Sequence, residues 1–216
     1  VSGGRLDLGI GLSHQPVVEG MWGMPFDKPL GHMKDYLTIL MALLHDGIIS
    51  HGGDQLTSRG GIGVSAEAPP VLVAALGPQM LKLTGRLADG TVTWMTGPVT
   101  VRDHVTPTIN DAAEAADRPA PQVAAAVPVC ITDDVEGGRK RAAEAFGFYG
   151  DLPSYRAMLD REGLANSWDI ALVGSLEEAT EGLQRYADAG ATQVVASVFG
   201  TPDEITHSTE QLATLL

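Results

Sequence analysis

Two stretches of this chain leave a helix and enter a strand in the same way. "GRLADGTVTWM" (Gly85 to Met95) and "YADAGATQVVAS" (Tyr186 to Ser197) each pass through one glycine, Gly90 or Gly190, into an apolar run. Glycine readily takes the left-handed conformation that ends a helix, so both are expected at that position. Joins this short between helix and strand dictate βαβ units and a parallel sheet. The apolar runs carry few polar residues, as strands do when both faces are covered. Continuous apolar runs predict strands over residues 6–12, 71–75, 91–95, 122–132 and 193–198. Helices are expected over 31–45, 79–88, 101–116, 135–148, 154–162, 175–189 and 202–216. In the first of these Met33, Leu37, Leu40 and Leu44 recur at helical spacing and form one face. Pro107 falls near the first turns of the 101–116 helix, and Ser175 with Glu178 has capping-box spacing. Residues 13–29 read as a loop, and the Gly- and Ser-rich 46–70 as an extended excursion with at most short strands.

Five strands leave two architectures, an open doubly wound sheet or a (β/α)8 TIM barrel. A barrel needs eight strands and roughly 250 residues, and this chain has 216. Three βα units upstream of Val1 would close the count. The expected fold is therefore a single α/β domain over 1–216, an incomplete TIM barrel with its excursion at about 46–70 between two barrel strands.

Charge narrows the partners. With 14 Lys and Arg against 27 Asp and Glu, the formal charge is −13. That argues against nucleic acid, which needs a basic face, and against an anionic membrane. No apolar run approaches the 18 or so residues of a membrane helix. The single cysteine, Cys130, lies in the apolar "VPVCITDD" and reads as a core residue, which points to a reducing, cytoplasmic compartment. The six histidines are scattered, with no HxH or HExxH, and a metal site is not expected.

An acidic protein that binds an anion must use backbone N–H groups and helix ends. "VLVAALGPQML", Val71 to Leu81, offers such a place. Pro78 suits the first helical position, and Gly77 takes away a side chain beside the backbone. No Ser, Thr, Asp or Asn stands there as a cap. The N–H groups of Gln79 and Met80 then face outward with the helix dipole behind them, and either water or an anion caps them. A second candidate is "GIGLSH", Gly9 to His14, a strand end whose glycines let a flat ligand lie close and whose Ser13 and His14 offer hydrogen bonds. It lacks GxGxxG spacing, so a Rossmann site is excluded. Met21, Trp22, Met24 and Phe26 form an apolar loop, and Trp94 with Met95 ends a strand. At the C-terminal mouth of a barrel such residues suit a flat cofactor or an apolar substrate, or pack beneath a loop.

"SGGRLDLGIGLSH", "PPVLVAALGPQMLKLTGRLADGTVTWMTG" and "LVGSLEEATEGLQRYADAGATQVVAS" together resemble, in this order, the later segments of the luciferase-like flavin and deazaflavin oxidoreductases. The wording is most similar to the coenzyme F420-dependent branch found in actinobacteria. The resemblance implies a (β/α)8 barrel with the cofactor across its C-terminal mouth. It makes 6–12 the fourth strand and 71–75 the fifth, with the first three upstream of Val1. It carries the family's phosphate-binding turn onto Ala75, Leu76, Gly77, Pro78, Gln79 and Met80, and its fourth-strand contact onto Gly11, Leu12, Ser13 and His14. Trp94 and Thr96 match mouth positions after the sixth strand. Catalytic acids and bases of the family often come from its first strands, so the resemblance assigns no catalytic residue here.

The expected activity is hydride transfer between F420 and a small-molecule substrate, in a homodimer. Luciferase-like monooxygenase chemistry with FMN is the alternative on the same fold. A non-catalytic barrel fragment that needs a partner chain is the alternative of another class, since open sheet edges invite pairing. A barrel acting on a sugar phosphate would use the same turn, but the Trp and Met mouth disfavours it.

Overall fold

The computed structural model describes residues 3–64 and 66–215. Ser2 of the first matching motif, Ser65 in the excursion and Leu216 at the end of the last expected helix lie outside the described residues. The chain divides into two compact units, Val1–Thr91 with Ile109–Pro121, and Val92–Thr108 with Gln122–Leu216.

In the first unit, β1 (Leu8–Ile10) pairs in parallel with β4 (Val71–Ala74), Leu8 opposite Val71 and Ile10 opposite Val73. Val71 and Val73 are fully buried, as their β-branched, apolar character demands. Between them run α1 (Gln15–Gly20), α2 (Pro29–Asp46) and an antiparallel hairpin, β2 (Ile48–Gly52) with β3 (Thr57–Gly61). Among the described residues the excursion thus holds only short strands. Residues 13–29 are not all loop: α1 forms there, with Pro16 in its first turn and Gly20 ending it. β1 is also shorter than expected, because the chain leaves the ladder at Gly11.

Helix α3 (Pro78–Leu87) follows β4. It packs closely against the start of the 109–121 segment: a Cβ on Gly85 would run into the Ile109 carbonyl. Asp89 ties the far end of α3 back to β4. Its carboxylate accepts from the Val71 N–H at 2.9 Å and pairs with Arg118 at 3.0 Å, while its own N–H donates to the Val71 carbonyl at 2.9 Å. The conspicuous "LADG" is therefore a buttress. Gly90 does not end α3 in a left-handed turn as expected; Ala88 takes an extended conformation and Gly90 opens β5 (Gly90–Trp94). Gly190, with φ of 95°, does close its helix.

In the second unit β6 (Gln122–Ile131) is the hub. It pairs in parallel with β8 (Gln193–Val198) along residues 124–129 and with β7 (Leu172–Gly174) along 129–131. β7 has three residues and no alternation, which is why the sequence did not announce it. Helices α6 (Val135–Phe146), α7 (Pro153–Glu162), α8 (Leu176–Asp188) and α9 (Pro202–Ala213) accompany these strands. Val129, Ile131 and Ala179 form a core onto which Leu172, Leu183 and Leu212 pack. Cys130 is buried here, as expected.

The expected 101–116 helix starts earlier, as α4 (Pro98–Thr100), and passes through a wide π turn, Val101–Val105, into α5 (Thr106–Glu114). Pro107 is the cause. It has no N–H, and its ring would strike the carbonyl four residues back in a regular helix. The Thr106 N–H instead reaches the Val101 carbonyl, widening the turn.

Candidate functional site

Parallel pairing of β1 with β4 brings two of the expected segments to one edge of the sheet. Gly11 follows β1 and stands beside Ala74 at the end of β4, so close that a Cβ on Gly11 would lie 3.0 Å from the Ala74 Cβ. Gly9 faces open space, with nothing within 4 Å of where its Cβ would be. The two glycines therefore differ: Gly11 lets the strands approach, and Gly9 leaves the strand face uncovered. Ser13 has φ of 61°, a left-handed conformation that costs a non-glycine residue on the order of 1 kcal/mol and often marks functional loops. His14 precedes α1, and burial lowers its pKa below the usual histidine value.

At the end of β4, Ala75 is buried, Leu76 and Met80 are half-buried, and Gly77, Pro78 and Gln79 are exposed. Pro78 is the first residue of α3, and no side chain caps the helix. Leu81 is the first residue whose N–H reaches back, to the Gly77 carbonyl at 3.0 Å. The amides of Gln79 and Met80 come before it, in the turn whose donors a helix cannot satisfy itself.

The same dipeptide recurs at Gly97-Pro98, again between a strand and a helix. Gly77 has φ −72° and ψ 148°, and Gly97 has φ −82° and ψ 168°. At the second turn a carboxylate fills the N-terminus. Glu162, at the end of α7, accepts from the Val99 N–H at 3.1 Å and from the Thr100 N–H at 2.8 Å, and the Thr100 hydroxyl adds a bond of 2.9 Å. A Cβ on Gly97 would collide with that carboxylate, whereas a Cβ on Gly77 would meet nothing within 4 Å. The amides at 99 and 100 correspond to those of Gln79 and Met80. This chain thus shows in its own second unit that its Gly-Pro turn receives an oxyanion. Sequence reasoning missed Glu162: the repeated dipeptide marks the second turn, but not the distant residue that fills it.

A cleft of about 210 Å³ opens beside Gly11 and Leu12, walled by Val18, Trp22, Met24 and Phe26. A second, of about 340 Å³, shares Gly11, Leu12 and His32 and runs along β1 to Met33 and Tyr36. Met21 and Trp22 do not pack under a loop; they are 76% and 57% exposed.

Trp94 and Thr96 belong to the second unit. Trp94 ends β5 and meets Phe146 and Tyr149 edge to face, with ring centroids 5.8 and 6.2 Å apart. Met95, next in the chain, has φ of 50°. Thr96 is buried, and its hydroxyl donates to the Trp94 carbonyl at 3.1 Å.

Asp35 was not anticipated. It is a buried carboxylate on α2 that accepts from the consecutive amides of Gln55 and Leu56, at 2.7 and 3.1 Å, and meets His51 Nε2 at 3.1 Å. The two amides, with His51 adding to them, hold its pKa down at about 2. It fastens the hairpin turn to α2. Among the described residues no group of His, Cys, Asp and Glu is arranged to hold a metal ion, and no helix is long and apolar enough to cross a membrane.

Residues 1–215 match the model of the luciferase-like monooxygenases. The 5,10-methylenetetrahydromethanopterin reductase of Archaeoglobus fulgidus is 25% identical over 221 residues, covering 99% of this chain and 65% of the reductase. The chain thus spans just under two thirds of that relative's length. Among solved structures, the coenzyme F420-dependent tetrahydromethanopterin reductase of Methanopyrus kandleri superposes with a TM-score of 0.72 at 21% identity, over 93% of this chain and 70% of its own. EDTA monooxygenase from Chelativorans sp. BNC1 gives 0.75 at 16% identity, over 99% and 66%. These structural likenesses speak for the fold.

Proposed function

This chain belongs to the luciferase-like monooxygenase family, and from that premise we propose that it is an oxidoreductase transferring hydride between coenzyme F420 and a small organic substrate, within a (β/α)8 barrel. The observation that carries the reading is the pair of Gly-Pro turns. One receives the Glu162 carboxylate on two consecutive amides. The other has the same backbone, no side-chain cap and open space at Gly77. Gln79 and Met80 are the residues that would hold a cofactor phosphate, in the way helix N-termini hold anions.

Ala75 and Leu76 lead into that turn, and Pro78 presets its first helical φ. Gly9 leaves the neighbouring strand face open to a flat ring, and Gly11, Leu12, Ser13 and His14 edge it. Trp94 and Thr96 remain proposed cofactor contacts. F420, when bound, supplies the hydride chemistry, and the protein's part is to bind, orient and exclude water.

Titration of the purified protein with F420 and with FMN tests this reading. Saturable binding of F420 at lower concentration than FMN is expected. Preference for FMN would move the activity to a flavin monooxygenase. Binding of neither would favour a non-catalytic role.

A further inference from the structure

Met21, Trp22 and Met24 expose 76%, 57% and 58% of their surface within four residues of a chain with a formal charge of −13. Contiguous exposed apolar surface marks an interaction site more often than chance placement. The loop holding them is fixed. The N–H groups of Met21 and Trp22 donate to the Val17 carbonyl at 2.9 and 3.2 Å, and that of Met24 donates to the buried Val18 at 3.0 Å. Gly23, with φ of 64°, turns the chain so that Trp22 and Met24 both wall the 210 Å³ cleft.

The chemistry of the cleft selects its occupant. Leu12, Trp22, Met24 and Phe26 give it an apolar wall. Among the described residues, its only titratable lining groups are Asp27 and His32, and neither Lys nor Arg lines it. An anionic ligand would meet a carboxylate and no fixed cation, in a protein of negative net charge. At about 210 Å³ the cleft lies below the roughly 300–1,000 Å³ of whole-ligand sites, so it holds a part of a small molecule and not a peptide. Gly11 and Leu12 line it too, so it opens directly onto the strand end proposed to edge the cofactor.

We propose that this cleft takes the alkyl or aryl part of an uncharged organic substrate, between the Trp22–Phe26 loop and the end of β1. The inference rests on the oxidoreductase reading for the word substrate; the cleft's preference for uncharged apolar ligands stands apart from it.

Tryptophan fluorescence tests the preference with 1-octanol and octanoate, which share a chain and differ in charge. Octanol is expected to shift the emission to the blue saturably, with octanoate at least tenfold weaker. Trp22→Phe should remove the shift, leaving Trp94 and Trp168 as silent background. Met24→Asp should weaken octanol at least tenfold with an unchanged melting temperature, since Met24 is largely exposed. Equal binding of octanoate, no saturable shift with octanol, or a shift that survives in both variants would overturn the proposal. F420 titration of the same proteins separates the two readings. Octanol binding without any cofactor binding would sink the oxidoreductase and leave the cleft. Cofactor binding with no response to octanol would sink the cleft alone.

Discussion

The chain makes the same strand-to-helix join at Gly77-Pro78 and at Gly97-Pro98, and finishes it in two ways. At Gly97 the donors of the first turn are taken by Glu162, sixty-two residues on from Thr100. At Gly77 no side chain serves. The other strand-to-helix joins of the second unit resemble the first solution. Asp134 accepts from Gly137, Ser175 forms a capping box with Glu178, and Thr201 forms one with Glu204. Helices α1, α2 and α7 also start without a side-chain cap, so the parallel with Gly97, and not the bare start alone, is what singles out Gly77. Proline at the first helical position does not make the difference, since α3, α4, α7 and α9 all carry it. The difference is the acceptor, and it sets the expected effects of substitution.

Gly97→Val should be the most damaging change. It forces the Glu162 carboxylate off two buried-edge amides and overpacks the turn. Bonds to a charged group contribute about 1.5–3 kcal/mol, and overpacking adds about 1–3 kcal/mol. A loss of about 3 kcal/mol, or about 6–12 °C in melting temperature for a protein of this size, is expected by calorimetry. Less than about 1 kcal/mol would mean that Glu162 contributes little to the turn. Glu162→Gln, which keeps the shape and removes the charge, should cost about half as much, since an amide oxygen still accepts one bond.

Gly77→Val breaks the comparison from the other side. Its new side chain enters open space at an ordinary extended backbone, so the melting temperature should stay within about 1 °C. Cofactor affinity should fall at least tenfold, which is about 1.4 kcal/mol. A destabilised protein would show that something in the fold already uses that space. Unchanged affinity would remove the turn from the site.

How much of this was legible in sequence follows from range. Local signals were read well: apolar runs gave β4, β5, β6 and β8 to within a residue or two, and Ser175 with Glu178 gave a capping box that forms as expected. β7 escaped because three residues carry no period, and α1 because Pro16 and Gly20 imitate a loop. The bare start of α3 was visible as the absence of a cap. Its counterpart was not, because Glu162 and Asp35 find their amides through tertiary packing across sixty and twenty residues. Nor does a spacing rule foretell that Trp22 and Met24 wall a cleft at Gly11, since α1 must form first to turn the loop.

Asp35 supplies a third pair of consecutive amides, and the smallest predicted effect. As Glu162 does at Val99 and Thr100, it accepts from the Gln55 and Leu56 amides with one carboxylate, and these bonds pull the Asp35 pKa to about 2. A lowered carboxylate pKa means that the ionised form favours the folded state. The contribution is complete above the ordinary aspartate range near 4, and fades as the pH falls from there towards 2. Exchange of the Gln55 and Leu56 amides should therefore be slow and follow base catalysis alone above pH 4, then gain protection loss below it, while core amides such as Val73 remain unchanged. Asp35→Asn should bring the low-pH behaviour of the hairpin to neutral pH, with Gly53 flanking the same carboxyl. Amides 55 and 56 that exchange identically in wild type and Asp35→Asn at pH 7 would show that a carboxylate on paired amides is dispensable in this chain. The Glu162 carboxylate at Gly97 would then stand as the single precedent for an anion at Gly77.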